Sequence, residues 1–78
     1  QTIKIVNKSN FDIRSIKKIN FFPSDRIDIE LKNKKKIRFP IDLTIDKLNF
    51  SSRLMEEEEF NKSKIIDLRI PNKIITYD

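Results

Sequence analysis

The chain of 78 residues contains no glycine, no cysteine, no histidine, no tryptophan and no alanine. Each absence removes a class of chemistry. Without glycine there is no loop whose bare backbone can wrap a phosphate, and no dinucleotide-binding fingerprint. Without cysteine or histidine there is no thiolate or imidazole metal site, no Cys or Ser–His nucleophile pair and no proton shuttle near neutrality. A disulfide scaffold is excluded, but the absence of cysteine fits any compartment. No apolar run approaches the roughly 20 residues of a membrane span, and no signal peptide is evident.

What is present is narrow in kind. Fifteen isoleucines, twelve lysines and seven asparagines make up 34 of the 78 residues. β-Branched isoleucine favours strands, because it is stiff at χ1 and packs well on a pleated surface. The length allows one small domain, spanning residues 1–78, that must fold on its 37% of hydrophobic residues without covalent staples. Seventeen Lys and Arg against twelve Asp and Glu give a net charge of +5. An excess of this sign suits an acidic partner such as nucleic acid or anionic lipid. Lys, Ile and Asn are also the residues over-used by an AT-rich genome, and that accounts for the excess without any partner. The chain starts at Gln1 rather than Met, which leads to the expectation of a larger protein with residues upstream.

Hydrophobic periodicity divides the chain. Thr2–Val6 alternates polar and apolar, and predicts a short strand. Asn7–Asn10 is a turn cluster. Ile19 and Phe21 fall on one face of a further strand, which Pro23 ends. Arg26–Lys32 alternates without a fault, with Ile27, Ile29 and Leu31 inward and Asp28 and Glu30 outward. Lys32–Lys35 is a turn in which Asn33 is expected to take positive φ, and Lys36–Phe39 returns as the second arm. A helix is predicted over Thr44–Glu59, capped by Thr44 or Asp42, with Ile41, Ile45, Leu48 and Met55 on one stripe and Leu54 beside it. Glu56–Glu59 crowds its C-terminal end, where negative charge is unfavourable. Lys64–Ile70 reads as a strand, with Ile66, Leu68 and Ile70 on one face and Ile65, Asp67 and Arg69 on the other. Pro71-Asn72 turns the chain into a last strand, Lys73–Tyr77. The expected class is α+β, an antiparallel or mixed sheet with one helix packed on a face.

Four features carry enough chemistry to weigh. The glutamate run fans around its helix and reads as a solvated face. The lysine-rich turn, with Lys32, Lys34, Lys35, Lys36 and nearby Arg38, has only Phe39 as a neighbouring aromatic, and alternation points that ring inward. Modules that read single strands interleave aromatics with basic residues, so a solvated hairpin tip is favoured. Asp67 and Arg69 project from one face of their strand, as a surface ion pair or as a charge presented to a partner. The terminal strand is a candidate edge, whose unpaired backbone groups can recruit another chain. An enzyme would need an acid–base pair drawn from Asp and Glu alone, and no pair has an evident buried environment in the sequence.

The stretch Lys64-Ile-Ile-Asp-Leu-Arg-Ile-Pro-Asn-Lys-Ile-Ile75 resembles the closing segment of the FtsQ/DivIB family of bacterial cell-division proteins, in which an Asp-Leu-Arg strand, a turn and a final strand end the β domain. Ile13–Ile16, the run Phe22–Asn33 and the segment holding Leu48, Leu54, Met55 and Phe60 resemble upstream parts of that domain in the same order. Ile70 stands where the family often bears an aromatic, and Asn72-Lys73 where it usually has a turn glycine. Asn72 is therefore expected to take the positive φ.

The resemblance implies a non-enzymatic scaffold of the divisome with no metal and no cofactor. It implies a protein anchored in the cytoplasmic (inner) membrane through a helix outside this segment, and preceded by a POTRA domain. The β domain would lie on the extracytoplasmic side at the septum. Its implied partners are FtsB/DivIC-like and FtsL-like proteins, bound by strand addition to the closing strand and not through nucleic acid. The implied contact residues are Leu54, Arg69, Ile70, Asn72, Lys73, Ile74, Ile75, Thr76 and Tyr77. Among them Arg69 would pair with a partner carboxylate, while Ile70 and Leu54 would form an apolar pocket. The contrasting reading, from charge alone, is a small basic nucleic-acid-binding domain.

Overall fold

Alternation is strongest in the middle of the chain, and there the fold has its centre. The computed structural model describes residues 2–78, with side chains from Lys4 onward. Strands β1 (Ile16–Phe22), β2 (Arg26–Leu31) and β3 (Lys36–Pro40) form two successive antiparallel hairpins. Helix α2 (Ile45–Met55) follows a first helix, α1 (Thr2–Lys8), far back in the sequence, and leads to β4 (Ile65–Asp67) and β5 (Ile75–Tyr77). The sheet order is β1-β2-β3-β4-β5. Among the described strands only β3 and β4 run parallel, because α2 carries the chain back across the sheet between them. The class is α+β, with a mixed five-stranded sheet, as the periodicity predicts.

Among the described residues three turns require positive φ, and none has glycine to adopt it. Phe22 pairs with Arg26 across Pro23-Ser24-Asp25, and Asp25 takes φ 58°. In the second hairpin the Lys34 N–H donates to Leu31 O and the Leu31 N–H donates to Lys35 O. Both are three-residue loops whose last residue turns left-handed. In the second loop that residue is Lys34, at φ 75°, and not the expected Asn33. Asn33 instead uses its side chain, accepting the Lys35 N–H at 3.0 Å, an Asx turn that fixes it one position earlier. Asn72 does take φ 63°, and the Lys73 N–H donates to Ile70 O. With Pro71 and Asn72 at the two central positions this is a type II turn.

The N-terminal segment departs from expectation. Thr2–Val6 lies in α1 and not in a strand. Short runs of isoleucine fit either period, and tertiary packing decides. Val6 and Phe11 are buried in one cluster with Ile27, Ile29, Leu31, Ile37, Phe39, Leu43 and Leu48. α1 therefore lies with α2 over one face of the sheet, here the inner face.

Helix α2 starts where the sequence places it. Thr44 Oγ1 accepts the Lys47 N–H at 3.2 Å and satisfies one of the unpaired first-turn amides. It stops sooner than expected, with Glu56 as its C-cap and a separate 3₁₀ turn at Glu58–Phe60. Four carboxylates would lie against the negative end of a longer helix; outside it they are exposed. The buried stripe also differs from the expected one. Leu48, Ser51 and Leu54 face inward, while Ile41 and Ile45 are exposed. Ser51 Oγ donates to Leu48 O at 2.7 Å, so a hydroxyl can sit in the core with its donor satisfied.

Candidate functional site

The two faces of the sheet differ sharply. Register aligns Ile29, Ile37 and Ile66 in one inner row, and Asp28, Arg38 and Asp67 in the adjacent outer row. Asp28 points outward as alternation requires, yet it is only 1% exposed. Arg26 Nε lies 3.0 Å from its Oδ1, an ion pair without hydrogen-bond alignment, and neither carboxylate oxygen has a hydrogen-bond partner. Asp28 is thus directed outward as expected, but it is covered, with the Arg26 side chain packed against it. Arg26 and Arg38 keep only 22% and 21% of their side-chain surface exposed. Arg26 stacks on the Phe22 ring at 4.2 Å and Arg38 on the Tyr77 ring at 5.5 Å.

At the β4 end of this row Asp67 is buried, and Arg69 grips it. Arg69 Nε donates to Oδ1 at 2.9 Å and Oδ2 at 3.1 Å, Nη2 donates to Oδ2 at 2.8 Å, and the Arg69 backbone N–H donates to Oδ1 at 3.1 Å. Arg38 Nη1 adds an ion pair at 3.7 Å. Burial pushes the Asp67 carboxyl up, but the side-chain and backbone hydrogen bonds from Arg69, with the charges of Arg69 and Arg38, outweigh it and hold the pKa below the ordinary carboxylate range. The same hydrogen bond raises the pKa of Arg69. The pair is thus more than the surface contact of about 0–1 kcal/mol open to the sequence. One partner is buried and the other is held in a single orientation, with 39% of its side chain exposed.

β5 is an edge strand. It pairs with β4 through Ile65–Tyr77, Ile66–Thr76 and Asp67–Ile75, and no described strand lies on its other side. The strand is shorter than the expected Lys73–Tyr77, since Lys73 and Ile74 lie before its first bridge. On the inner side of this edge is an apolar hollow of about 450 Å³. It is lined by Phe50 of α2, by Leu68, Ile70, Pro71 and Ile74, and at the rim by Asp46, Lys47, Asn72 and Lys73.

The structure therefore gathers most of the residues singled out in the sequence. Ile70, Asn72, Lys73 and Ile74 line the hollow, and Ile75, Thr76 and Tyr77 form the edge. Arg69 lies with Asp67 on the outer side. Leu54 is not with them. It is 5% exposed, buried under α2, and takes no part in the hollow. Phe50, one turn earlier, occupies the place expected of Leu54, and its 39% exposure is what a binding wall requires. The signal for Phe50 was its spacing four residues before Leu54, which puts both on neighbouring parts of the same helix surface.

The remaining candidates do not form sites. Glu56–Glu59 is exposed, and no cluster able to hold a metal ion occurs among the described residues. Lys32 and Lys34 are exposed at the hairpin tip, whereas Lys35 turns inward and donates to three backbone carbonyls, Phe60 O, Asn61 O and Ser63 O, at 3.0, 2.7 and 2.9 Å. Among the described residues no helix is long and apolar enough to cross a membrane. No family model matches the chain, and neither curated proteins nor solved structures yield a match.

Proposed function

We propose that this domain is a non-enzymatic docking module that accepts a strand from a partner protein along β5, and that it serves as a divisome scaffold of the FtsQ/DivIB kind. The observation that carries the reading is the juxtaposition of an open strand edge with an apolar hollow directly beside it. A bare edge offers backbone hydrogen bonds to any extended chain. A hollow at the same edge adds a side-chain pocket, and with it selectivity. One aromatic or large aliphatic side chain buried there contributes about 2–3 kcal/mol, enough to give a short added strand a preferred register.

The resemblance in Asp67-Leu68-Arg69 and Pro71-Asn72 supports FtsB/DivIC-like and FtsL-like proteins as the partners. It supports a membrane-anchored, extracytoplasmic setting at the septum for the whole protein. Arg69, Ile70, Asn72, Lys73, Ile74, Ile75, Thr76 and Tyr77 are the contact residues in this reading, with Phe50 in place of Leu54.

The test is binding of the extracytoplasmic segment of a DivIC-like partner from the same genome, measured by calorimetry at two salt concentrations. Ile74→Asp places a charge in the hollow at a residue that is already 40% exposed, so the fold survives it. Binding should weaken by at least tenfold, and binding to the unaltered chain should change little with salt. Unchanged binding by Ile74→Asp would sink the proposal. A steep loss of affinity with salt, together with capture of single-stranded nucleic acid, would replace it with the nucleic-acid reading.

A further inference from the structure

The sheet has a second edge, far from β5. β1 is the outermost strand on the opposite side, and no described strand lies beyond it. Which of its backbone groups are free follows from the hairpins. The Leu31 N–H donates to Lys35 O, and bonded pairs alternate with unbonded ones along an antiparallel ladder. Ile29–Ile37 and Ile27–Phe39 are therefore bonded pairs, and Arg26–Pro40 is an unbonded one, where Pro40 needs no N–H. Arg26, Asp28 and Glu30 then turn their backbone groups toward β1, where they meet Phe22, Asn20 and Lys18. Ile19 and Phe21 are left with N–H and C=O directed away from the sheet.

The side chains at this edge are apolar. Ile19 and Phe21 share the inner face with their partners Ile29 and Ile27. Ile19 packs on the core cluster, but Phe21 is 63% exposed. Edge strands are commonly guarded by lysine, by a bulge or by proline. Those of β1 stand at its two ends. The register slips between Ile16 and Lys18, around Lys17, and Pro23 follows Phe22. The window between them, Lys18–Phe22, pairs regularly with β2 and has nothing to prevent a further strand from pairing along it.

We infer that β1 pairs with β1 of a second copy of the chain, antiparallel about a two-fold axis at Asn20. The window is its own complement in this register. Ile19 of each copy faces Phe21 of the other in a bonded pair, apolar against aromatic on the inner face. On the outer face Asn20 faces Asn20, and Lys18 of each copy faces the Phe22 ring of the other. The two Lys18 side chains stay four positions apart, about 13 Å at a strand's rise. The neighbouring registers are worse. Centred on Phe21, the ladder sets Ile19 against Pro23, which has no N–H to give. Centred on Ile19, it sets Phe21 against Lys17 at the bulge. Two five-stranded sheets thus become one, with a free β5 at each end. The inference does not depend on what β5 binds.

The chain has no cysteine, so single introduced thiols report the register. Opposed residues of an unbonded pair lie about 4.5 Å apart between Cα atoms, within reach of a disulfide. Asn20→Cys should therefore give a covalent dimer under mild oxidation, and Lys18→Cys should lag by about tenfold or more. Sedimentation equilibrium of the unaltered chain should show a mass rising with concentration from 9.4 kDa toward twice that value. Phe21→Pro deletes only an N–H that faces outward, a place where an edge strand tolerates proline. It should leave the circular dichroism unchanged and the chain monomeric. Ile74→Asp, which tests docking at β5, should leave the dimer intact.

An unaltered chain that keeps the mass of one copy up to about 1 mM overturns the inference, because affinity weaker than that is no specific pairing. Equal cross-linking of Asn20→Cys and Lys18→Cys overturns the register, and a dimer that persists in Phe21→Pro overturns the use of this edge. Growth beyond two copies, abolished by Ile74→Asp, overturns it in favour of head-to-tail pairing of β1 with β5. The mass of the unaltered chain does not depend on any variant folding.

Discussion

Lys35 offers the sharpest test of what holds the site in place. Its ammonium donates to three backbone carbonyls of the segment between α2 and β4, at distances of 2.7 to 3.0 Å. Replacement by Met keeps the stem and removes the charge. A hydrogen bond to a charged group contributes about 1.5–3 kcal/mol net, but three such values do not add here. Asn61 O is exposed, water can replace the ammonium there, and Phe60 O also accepts the Ser63 N–H. A net loss of about 2–3 kcal/mol follows. Marginal stability of roughly 0.05–0.15 kcal/mol per residue gives this chain about 4–12 kcal/mol in total, so the substitution removes about a sixth of it at the least. With a urea slope of about 1 kcal/mol per molar, the midpoint should fall by about 2–3 M. Far-UV circular dichroism is the suitable probe, because the chain has no tryptophan and its one tyrosine lies on the edge strand. Lys35→Arg should also destabilise, since a planar fork cannot meet three converging carbonyls. Lys32→Met, at an exposed lysine in the same turn, should stay within about 0.5 kcal/mol. If Lys35→Met behaves like Lys32→Met, the carbonyl cage contributes nothing and the reasoning is wrong.

Three further outcomes are expected. Lys34→Gly should stabilise the chain by about 0.5–1 kcal/mol, since a lysine at φ 75° bears a steric cost that exceeds the added freedom of glycine in the unfolded state; a lower urea midpoint would contradict this. The Asp67 pKa is lowered by folding, so its contribution is complete above the unfolded carboxylate value of about 3.9 and is lost as pH falls through the lower folded value. Acid titration of stability should accordingly be shallower below about pH 4 in Asp67→Asn than in the unaltered chain. Asp28→Leu should cost about 3 kcal/mol by stranding Arg26 beside it, and Arg26→Met added to it should recover part of that loss, because an apolar pair can replace a buried ion pair; additive losses in the double variant would count against the pairing.

The pattern of residues foretold the architecture better than its surroundings. Strict alternation made the β2–β3 hairpin plain, and Thr44 and Asn72 announced a cap and a turn through their own chemistry. α1 was hidden because five residues of mixed polarity fit a strand as well as a helix, and only the burial of Val6 against distant Leu48 decides between them. Alternation puts Asp28 on the correct face, but it reports direction only and says nothing about a neighbour such as Arg26 that covers the side chain. Leu54 and Phe50 illustrate the same limit on a helix. Both lie on its apolar side, and which of them borders an opening depends on where Ile70 and Ile74 pass, residues some twenty positions away. Lys35 looked like one more solvated lysine in a basic turn. Its three acceptors are backbone carbonyls, which leave no trace in the side-chain pattern.

The modest length of β4 and β5 has a kinetic meaning. The two hairpins β1–β2–β3 pair over five or six positions, whereas β3–β4 and β4–β5 pair over three each. The last two strands can therefore detach while the hairpins and their helices stay folded, a partial opening of lower free energy than global unfolding. Amides of Ile65–Asp67 and Ile75–Tyr77 should exchange with solvent well before those of Ile27, Ile29 and Ile37. A strand added along β5 would close this gap, and protection against exchange would spread from the docked edge into the middle of the sheet.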